Sequence, residues 1–333
     1  MTTQNTEVVR LAAFPEPLAS YLKGVGILRI VSLQHSPIRG WWENGQFAIS
    51  GISKEALSQF LLTQYRPTPI VSPWNGSTGF SSRDQASQKQ LLSDFANAGD
   101  RFHTYSRTVR AAQRICSSQT SPPKGEAKVK LIQKLRNALP DEAIEWIDLA
   151  VPVVTDRDEG LTVEFNPLMR TGGNDGNFEF SRTYMQQLQV LFDLKTGQPT
   201  EAAELLLRAA IWGEVLPSLP YSGRIGMFSP LAGFNGQVNA WDSVLLMEGA
   251  IAFAPGISNR MQAAPEWDDP RFPFVVESAE EVGVSEFLAP LWRTPASYSE
   301  LRTKFSDGRF VLQIGDKIRF AKTSTDVARA ISR

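Results

Sequence analysis

Apolar positions in PEPLASYLKGVGILRIVSL (15–33) recur at helical spacing through Leu18, Tyr21, Leu22, Val25, Leu28, Ile30 and Val31. Pro17 suits the first turn of such a helix. Gly24 and Gly26 weaken it by about 1 kcal/mol each relative to Ala. Their lack of a Cβ predicts a place where another backbone comes close. Next, WWENGQFAI (41–49) sets Asn-Gly between aromatic and apolar residues, which predicts a hairpin. A helix follows from about Lys54 to Tyr65, with Leu57, Phe60 and Leu61 inward. In RPTPIVSPWNGSTGF (66–80), Pro67, Pro69 and Pro73 forbid a helix and a central strand. An extended edge segment is expected there, ending in a polar glycine loop.

Residues 83–139 read as helical, broken at TSPPKG (120–125). The stretch 141–165 reads as a helix followed by two strands, LAVPVV and LTVEF. A loop at 166–178 precedes helices at about 181–193 and 200–213. The glycine- and proline-rich stretch 217–240 reads as structured loop. A buried helix at about 241–253 is followed by short strands (PFVVES, RFVLQI, KIRFAK) and a helix near 297–305. The expected fold class is α+β, with mixed short strands and helices and a helical insertion. Three parts are expected: an N-terminal α+β part at 1–82, a basic helical insertion at 83–148, and a second α+β part at 149–333. A last helical pattern starts near Thr325 and is still running at DVARAISR, so the polypeptide is expected to continue.

Composition narrows the function classes. A chain of 333 residues suggests about two domains at roughly 150 residues each. With 42% hydrophobic and 21% charged residues, it can bury a core and is not a disordered chain. Lys plus Arg is 34 and Asp plus Glu is 35, so any attraction to a polyanion must be local. One cysteine, Cys116, excludes an internal disulfide and a Cys-based zinc site, and His35 and His103 are the only histidines. The most apolar run, Val244 to Pro255, has 12 residues and contains Glu248, whereas a membrane helix needs about 20. The first residues lack a secretory pattern, and a cytoplasmic location is expected.

The local charge signal lies between Arg101 and Arg136, where nine Lys and Arg accompany one acid, Glu126. On a helical wheel with Phe102 at zero, Tyr105, Val109, Ala112 and Cys116 fall between about 280° and 340°. His103, Arg107, Arg110 and Arg114 fall between about 80° and 140°. On the next helix Lys130 and Lys134 lie away from Val129, Ile132, Leu135 and Leu139, and Lys124 precedes it. Cations facing one way attract a polyanion, because each phosphate contact releases condensed counterions. A solvated face, or one answered by the acidic block at 141–159, is the alternative.

Two loops could meet nucleic acid, and the longer one around Asn174 is the preferred reader. Thr171–Asn177 (TGGNDGN) offers backbone N–H groups and the side chains of Asn174, Asp175 and Asn177. Asn75–Phe80 (NGSTGF) offers Asn75 and Ser77 beside Trp74, which is either a stacking surface or core. Either loop could equally be a turn that needs positive φ. No nucleophile, base and orienting group stand together, so no catalytic residue, metal site or cofactor is expected. Glu248, inside an apolar helix, is expected to take a hydrogen bond or an Arg partner.

Five blocks, in order, carry a resemblance: PEPLASYLKGVGILRIV, YRPTPIVSPWNGSTGF, EFNPLMRTGGNDGNFEFSRTYMQQL, AWDSVLLMEGAIAF and LAPLWRTPASYSEL. Together they resemble the large subunit of type I-G (formerly I-U) CRISPR effector complexes, over positions 15 to 301. The family usually has Gly-Gly-Ser-Gly after its Trp-Asn, and Pro-Trp-Asp later. This chain has Gly76-Ser77-Thr78-Gly79 after Asn75, and Ala240-Trp241-Asp242. Family members continue past the final RAIS into a helical region. The resemblance implies a subunit of an RNA-guided antiviral surveillance complex, working with guide RNA, target DNA, other effector subunits and a helicase-nuclease. Its implied task is to read the motif flanking the target in duplex DNA, aid strand opening and recruit the nuclease. Two further readings stay open. One is a nucleotide- or phosphate-binding enzyme using TGGNDG, and the other is a scaffold that does not read DNA.

Overall fold

A computed structural model describes residues 7–156, 160–163, 166, 168, 180–216, 239–254, 275–279, 284–306 and 317–323. The chain enters through strand β1 (Val8–Leu11) and helix α1 (Leu18–Gln34), then the hairpin β2 (Arg39–Glu43) and β3 (Gln46–Ser50). Asn44 and Gly45 both take positive φ, 50° and 74°, and set Glu43 opposite Gln46, as Asn-Gly predicts. Helix α2 (Lys54–Thr63) starts at Ser53, whose hydroxyl accepts from the Ala56 N–H.

Helix α3 (Ala86–Ala96), a 3-10 turn (Asp100–Phe102), α4 (His103–Ile115), α5 (Gly125–Ala138) and α6 (Asp141–Ala150) make up the helical stretch. A hairpin of β4 (Val153–Asp156) and β5 (Gly160–Val163) follows. Helices α7 (Phe180–Leu191), α8 (Glu201–Trp212) and α9 (Ala240–Ile251) come next. The last described elements are β6 (Val275–Ala279), β7 (Val284–Pro290), β8 (Ala296–Ser297), α10 (Tyr298–Ser306) and β9 (Lys317–Thr323). The strands form three antiparallel sheets in the orders β1-β3-β2-β8, β4-β5 and β6-β7-β9. The architecture is therefore α+β. Strands β1 and β7 were not among the sequence expectations. The strand expected at 309–314, the loop expected over 217–238 and the helix expected from Thr325 lie outside the described residues.

Helices α1 and α9 form the centre, and neither has a polar face. A helix that is apolar all round must be covered on every side. Gly24 faces the sheet, where an added Cβ would lie 2.9 Å from Phe47 Cγ. Gly26 faces α9, where a Cβ would lie 2.0 Å from the Leu245 carbonyl oxygen. Gly249 answers from α9, with a Cβ position 1.9 Å from the Leu22 carbonyl oxygen. The two backbones touch at this pair of glycines, so the close backbone approach expected at Gly24 and Gly26 occurs at Gly26 alone, while Gly24 makes room for the Phe47 ring.

Residues 66–74 correct the expected edge segment. Pro67 to Trp74 are all buried and pair with no strand among the described residues. Buried backbone groups need partners, and here side chains supply them. At the entrance, Gln34 bonds both the N–H and the carbonyl of exposed Arg66, at 2.9 Å each, and within the buried stretch Glu248 accepts from the Thr68 N–H at 3.0 Å. The Tyr105 hydroxyl donates to Ile70 O, Trp146 Nε1 to Val71 O and Gln119 Nε2 to Pro73 O. Prolines remove donors that would otherwise need acceptors, so a proline-rich chain can cross an interior that a central strand position would refuse.

Candidate nucleic-acid interface

The exposed side of α4 and the exposed side of α5 each carry cations. Tyr105, Val109, Ala112 and Cys116 are buried, while His103, Arg107, Arg110 and Arg114 are exposed. Lys124, Lys130 and Lys134 are exposed as well. Val129, Ile132, Leu135 and Leu139 are buried beneath them. Burial pushes the Cys116 thiol up to about 11, which suits a core position and not a nucleophile.

The fold withdraws some cations from this face. Arg101 turns inward, donating to Tyr65 O at 2.7 Å, to Leu62 O at 2.8 Å and to Gly197 O, with its guanidinium over the Phe192 ring. Burial lowers its pKa to about 10. Arg136 pairs with Asp148 of the acidic block, and Glu145 of that block turns to Arg29. Lys130 meets Glu126 one turn away at 3.2 Å, an exposed pair worth little. Arg110 uses Nε to hold Ala96 O at 2.7 Å, which fixes its stem beside the end of α3. Among the described residues no ion pair reaches Arg107, Arg114, Lys124 or Lys134. The described residues of the acidic block therefore claim Arg136 and leave Arg107, Arg114, Lys124 and Lys134 without a carboxylate.

The loop at 75–80 abuts the turn that joins the two helices. Gln119 Nε2 donates to Pro73 O at 2.9 Å and to Ser81 Oγ at 3.2 Å, and the Ser82 N–H donates to Gln119 O at 3.0 Å. A Cβ on Gly76 would lie 3.5 Å from Pro122 Cγ. Asn75 and Ser77 are half-exposed here, and Trp74 is core. The loop is shaped by Asp84, a residue the sequence reading did not single out. Its carboxylate accepts from the N–H groups of Ser77 at 3.1 Å, Gly79 at 2.7 Å and Ser81 at 3.1 Å. An Asp a few residues after a Ser/Gly turn is a local signal that could have found it. The structure thus joins Asn75 and Ser77 to the basic helices. Asn174, Asp175 and Asn177 lie outside the described residues.

A second polar cluster is sealed in the core. Glu248 on α9 is fully buried and pairs with Arg29 on α1. It also accepts from the Tyr65 hydroxyl at 2.6 Å, the Tyr184 hydroxyl at 2.9 Å, the Thr68 N–H at 3.0 Å and the Thr68 hydroxyl at 2.7 Å. Burial by itself lowers the Arg29 pKa, but Glu248, Tyr298 and Glu145 more than reverse this and raise it. Burial, then the Glu248 charge, raises the pKa of Tyr65 and of Tyr184. Every lone-pair direction of the carboxylate is occupied by protein, so this is a structural clasp and not an open acid.

Among the described residues no cluster of His, Cys, Asp or Glu could hold a metal ion, and no helix is long and apolar enough to cross a membrane. No protein-family model matches the chain, and no curated protein matches it.

Proposed function

We propose that this chain is the large subunit of an RNA-guided DNA surveillance complex resembling type I-G CRISPR effectors. It works in the cytoplasm as a binder and not as an enzyme, without a cofactor. It recognises the motif flanking the target in duplex DNA, aids strand opening and offers the opened DNA to a helicase-nuclease. The observation that carries this reading is the set of exposed cations on α4 and α5, of which Arg107, Arg114, Lys124 and Lys134 meet no carboxylate among the described residues, with the Asn75–Phe80 loop tied to the turn between the two helices through Gln119. The face supplies sequence-blind phosphate contacts. The loop supplies Asn and Ser groups of the kind that pair with base edges. The five blocks of resemblance give the face its biological setting.

The test is binding of short duplexes with matched and mismatched flanks, by the chain alone and assembled with guide RNA and its companion subunits. Flank-dependent retention by the assembled complex is expected. The triple variant Arg107→Ala, Arg114→Ala, Lys134→Ala should weaken binding to all sequences alike. The slope of log affinity against log salt should fall by up to about 0.9 per lost phosphate contact. Arg110 is left intact because it anchors the end of α3. An unchanged slope in a folded variant refutes the face as a DNA contact. Thermal stabilisation by a nucleotide alone, or assembly with protein partners and no DNA dependence, would refute the reading in favour of an enzyme or a scaffold.

A further inference from the structure

We propose that Asp84 is a positioning residue for flank recognition, holding the Asn75–Ser81 loop so that it reads bases while the α4–α5 face holds phosphates. This rests on the function proposed above. Three successive alternate N–H groups, those of Ser77, Gly79 and Ser81, converge on one carboxylate. Such a concavity of backbone N–H groups is an anion cradle. In many proteins a phosphate fills it; here the chain fills it with its own Asp84. These N–H groups are therefore taken, and the loop meets DNA through side chains.

The loop is also strained in a way that needs an external hold. Ser77 sits at φ 64°, in the left-handed region that costs a residue with a Cβ of order 1–2 kcal/mol. Gly79 sits at φ 91°, and a Cβ there would lie 2.6 Å from the Gln88 carbonyl oxygen, so the loop lies hard against α3. The Thr78 side chain is turned in, its hydroxyl donating to Asn75 O at 3.2 Å. With Thr78 inward, Asn75 and Ser77 are left as the half-exposed polar side chains on either side of Gly76. Gln119 fixes the same loop to the α4–α5 turn, so its distance from the cationic face is set. Asp84 contributes no atom to the DNA. It acts by stopping the loop from relaxing, which would carry Asn75 and Ser77 out of register with the phosphate contacts.

The experiment compares wild type, Asp84→Ala and Asp84→Asn in the assembled complex, using duplexes with one matched and several mismatched flanks over a salt series. Hydrogen exchange at the amides of Ser77, Gly79 and Ser81 is measured alongside. In Asp84→Ala those amides should lose protection, and discrimination should fall by about tenfold or more, the worth of one base-edge contact. The salt slope and the binding to mismatched duplex should stay as in wild type. Asp84→Asn keeps one acceptor oxygen and should recover part of both the protection and the discrimination. Unchanged discrimination in Asp84→Ala overturns the proposal. So does a fall in matched and mismatched binding together, which a merely structural role would produce. A wild-type complex with no flank preference overturns the proposed function itself; a wild type that discriminates, with an Asp84→Ala that discriminates equally, overturns only the role of Asp84.

Discussion

Replacing Glu248 by Leu should be among the most damaging single changes in this chain. The substitution leaves the Arg29 guanidinium buried, with its side chain only 3% exposed. Its remaining carboxylate is Glu145, itself partly in solvent. The hydroxyls of Tyr65 and Tyr184 keep each other at 3.0 Å, but the Thr68 N–H and hydroxyl lose their acceptor. Breaking a buried pair by removing one partner costs about 3–5 kcal/mol. Whole domains hold only about 5–15 kcal/mol. With an unfolding entropy of about 2.1 cal/mol/K per residue, a chain of 333 residues should lose about 4–7 °C in Tm. Glu248→Gln keeps one acceptor oxygen, for the hydroxyls of Tyr65 and Tyr184 and the Thr68 N–H, but loses the charge and turns the other oxygen into an NH2 facing the Arg29 and Thr68 donors, so it should cost at least about 1.5–3 kcal/mol. The double variant Arg29→Met, Glu248→Leu removes both charges and should recover much of the loss. Urea titration followed by tryptophan fluorescence, with calorimetry for Tm, measures all four chains. The reasoning is refuted if Glu248→Leu matches wild type, or if the double variant is no more stable than Glu248→Leu.

The glycine crossing predicts that Gly26→Ala and Gly249→Ala are severely destabilising, because each methyl would strike backbone, whereas Gly76→Ala should leave Tm nearly unchanged; equal melts for the three would contradict the close approach of α1 and α9. Lys128 on α5 has a pKa lowered by burial from the ordinary 10.5 to about 8, so the folded chain disfavours its charge. The unfolded chain then binds more protons between these values, and the penalty, full below about pH 8, fades as pH rises toward 10.5. Lys128→Met should accordingly be more stable than wild type at pH 7, with the difference shrinking above pH 8; a constant difference in urea midpoints across that range would rule this out.

Local pattern carried much of the architecture. The Asn-Gly turn between β2 and β3, the capped start of α2 and the amphipathic α4 and α5 each follow from residues within a few positions of one another. The absence of a polar face on α9 announced its burial, and Glu248 on it implied a partner. Strand β1 escaped because four residues carry little period of their own, and β7 because its state depends on pairing between β6 and β9. The path of residues 66–74 escaped for a related reason. Proline content excludes helix and central strand, but it does not say whether the chain runs outside or inside.

The sequence by itself determined most of the described helical segments, though not the break between α3 and α4, and it determined which turn needs left-handed backbone and which side of α4 and of α5 carries cations. Those are short-range properties, set by side-chain period and backbone sterics. Only the tertiary structure decided which cations remain on that face, since Arg101 and Arg136 are claimed by Gly197 O and Asp148. It alone paired Arg29 with Glu248 across 219 positions, and Gly26 with Gly249. It alone set the Asn75 loop beside the α4–α5 turn, through Gln119. Such pairings depend on how whole elements stack, and the period of a helix names a buried face without naming what covers it.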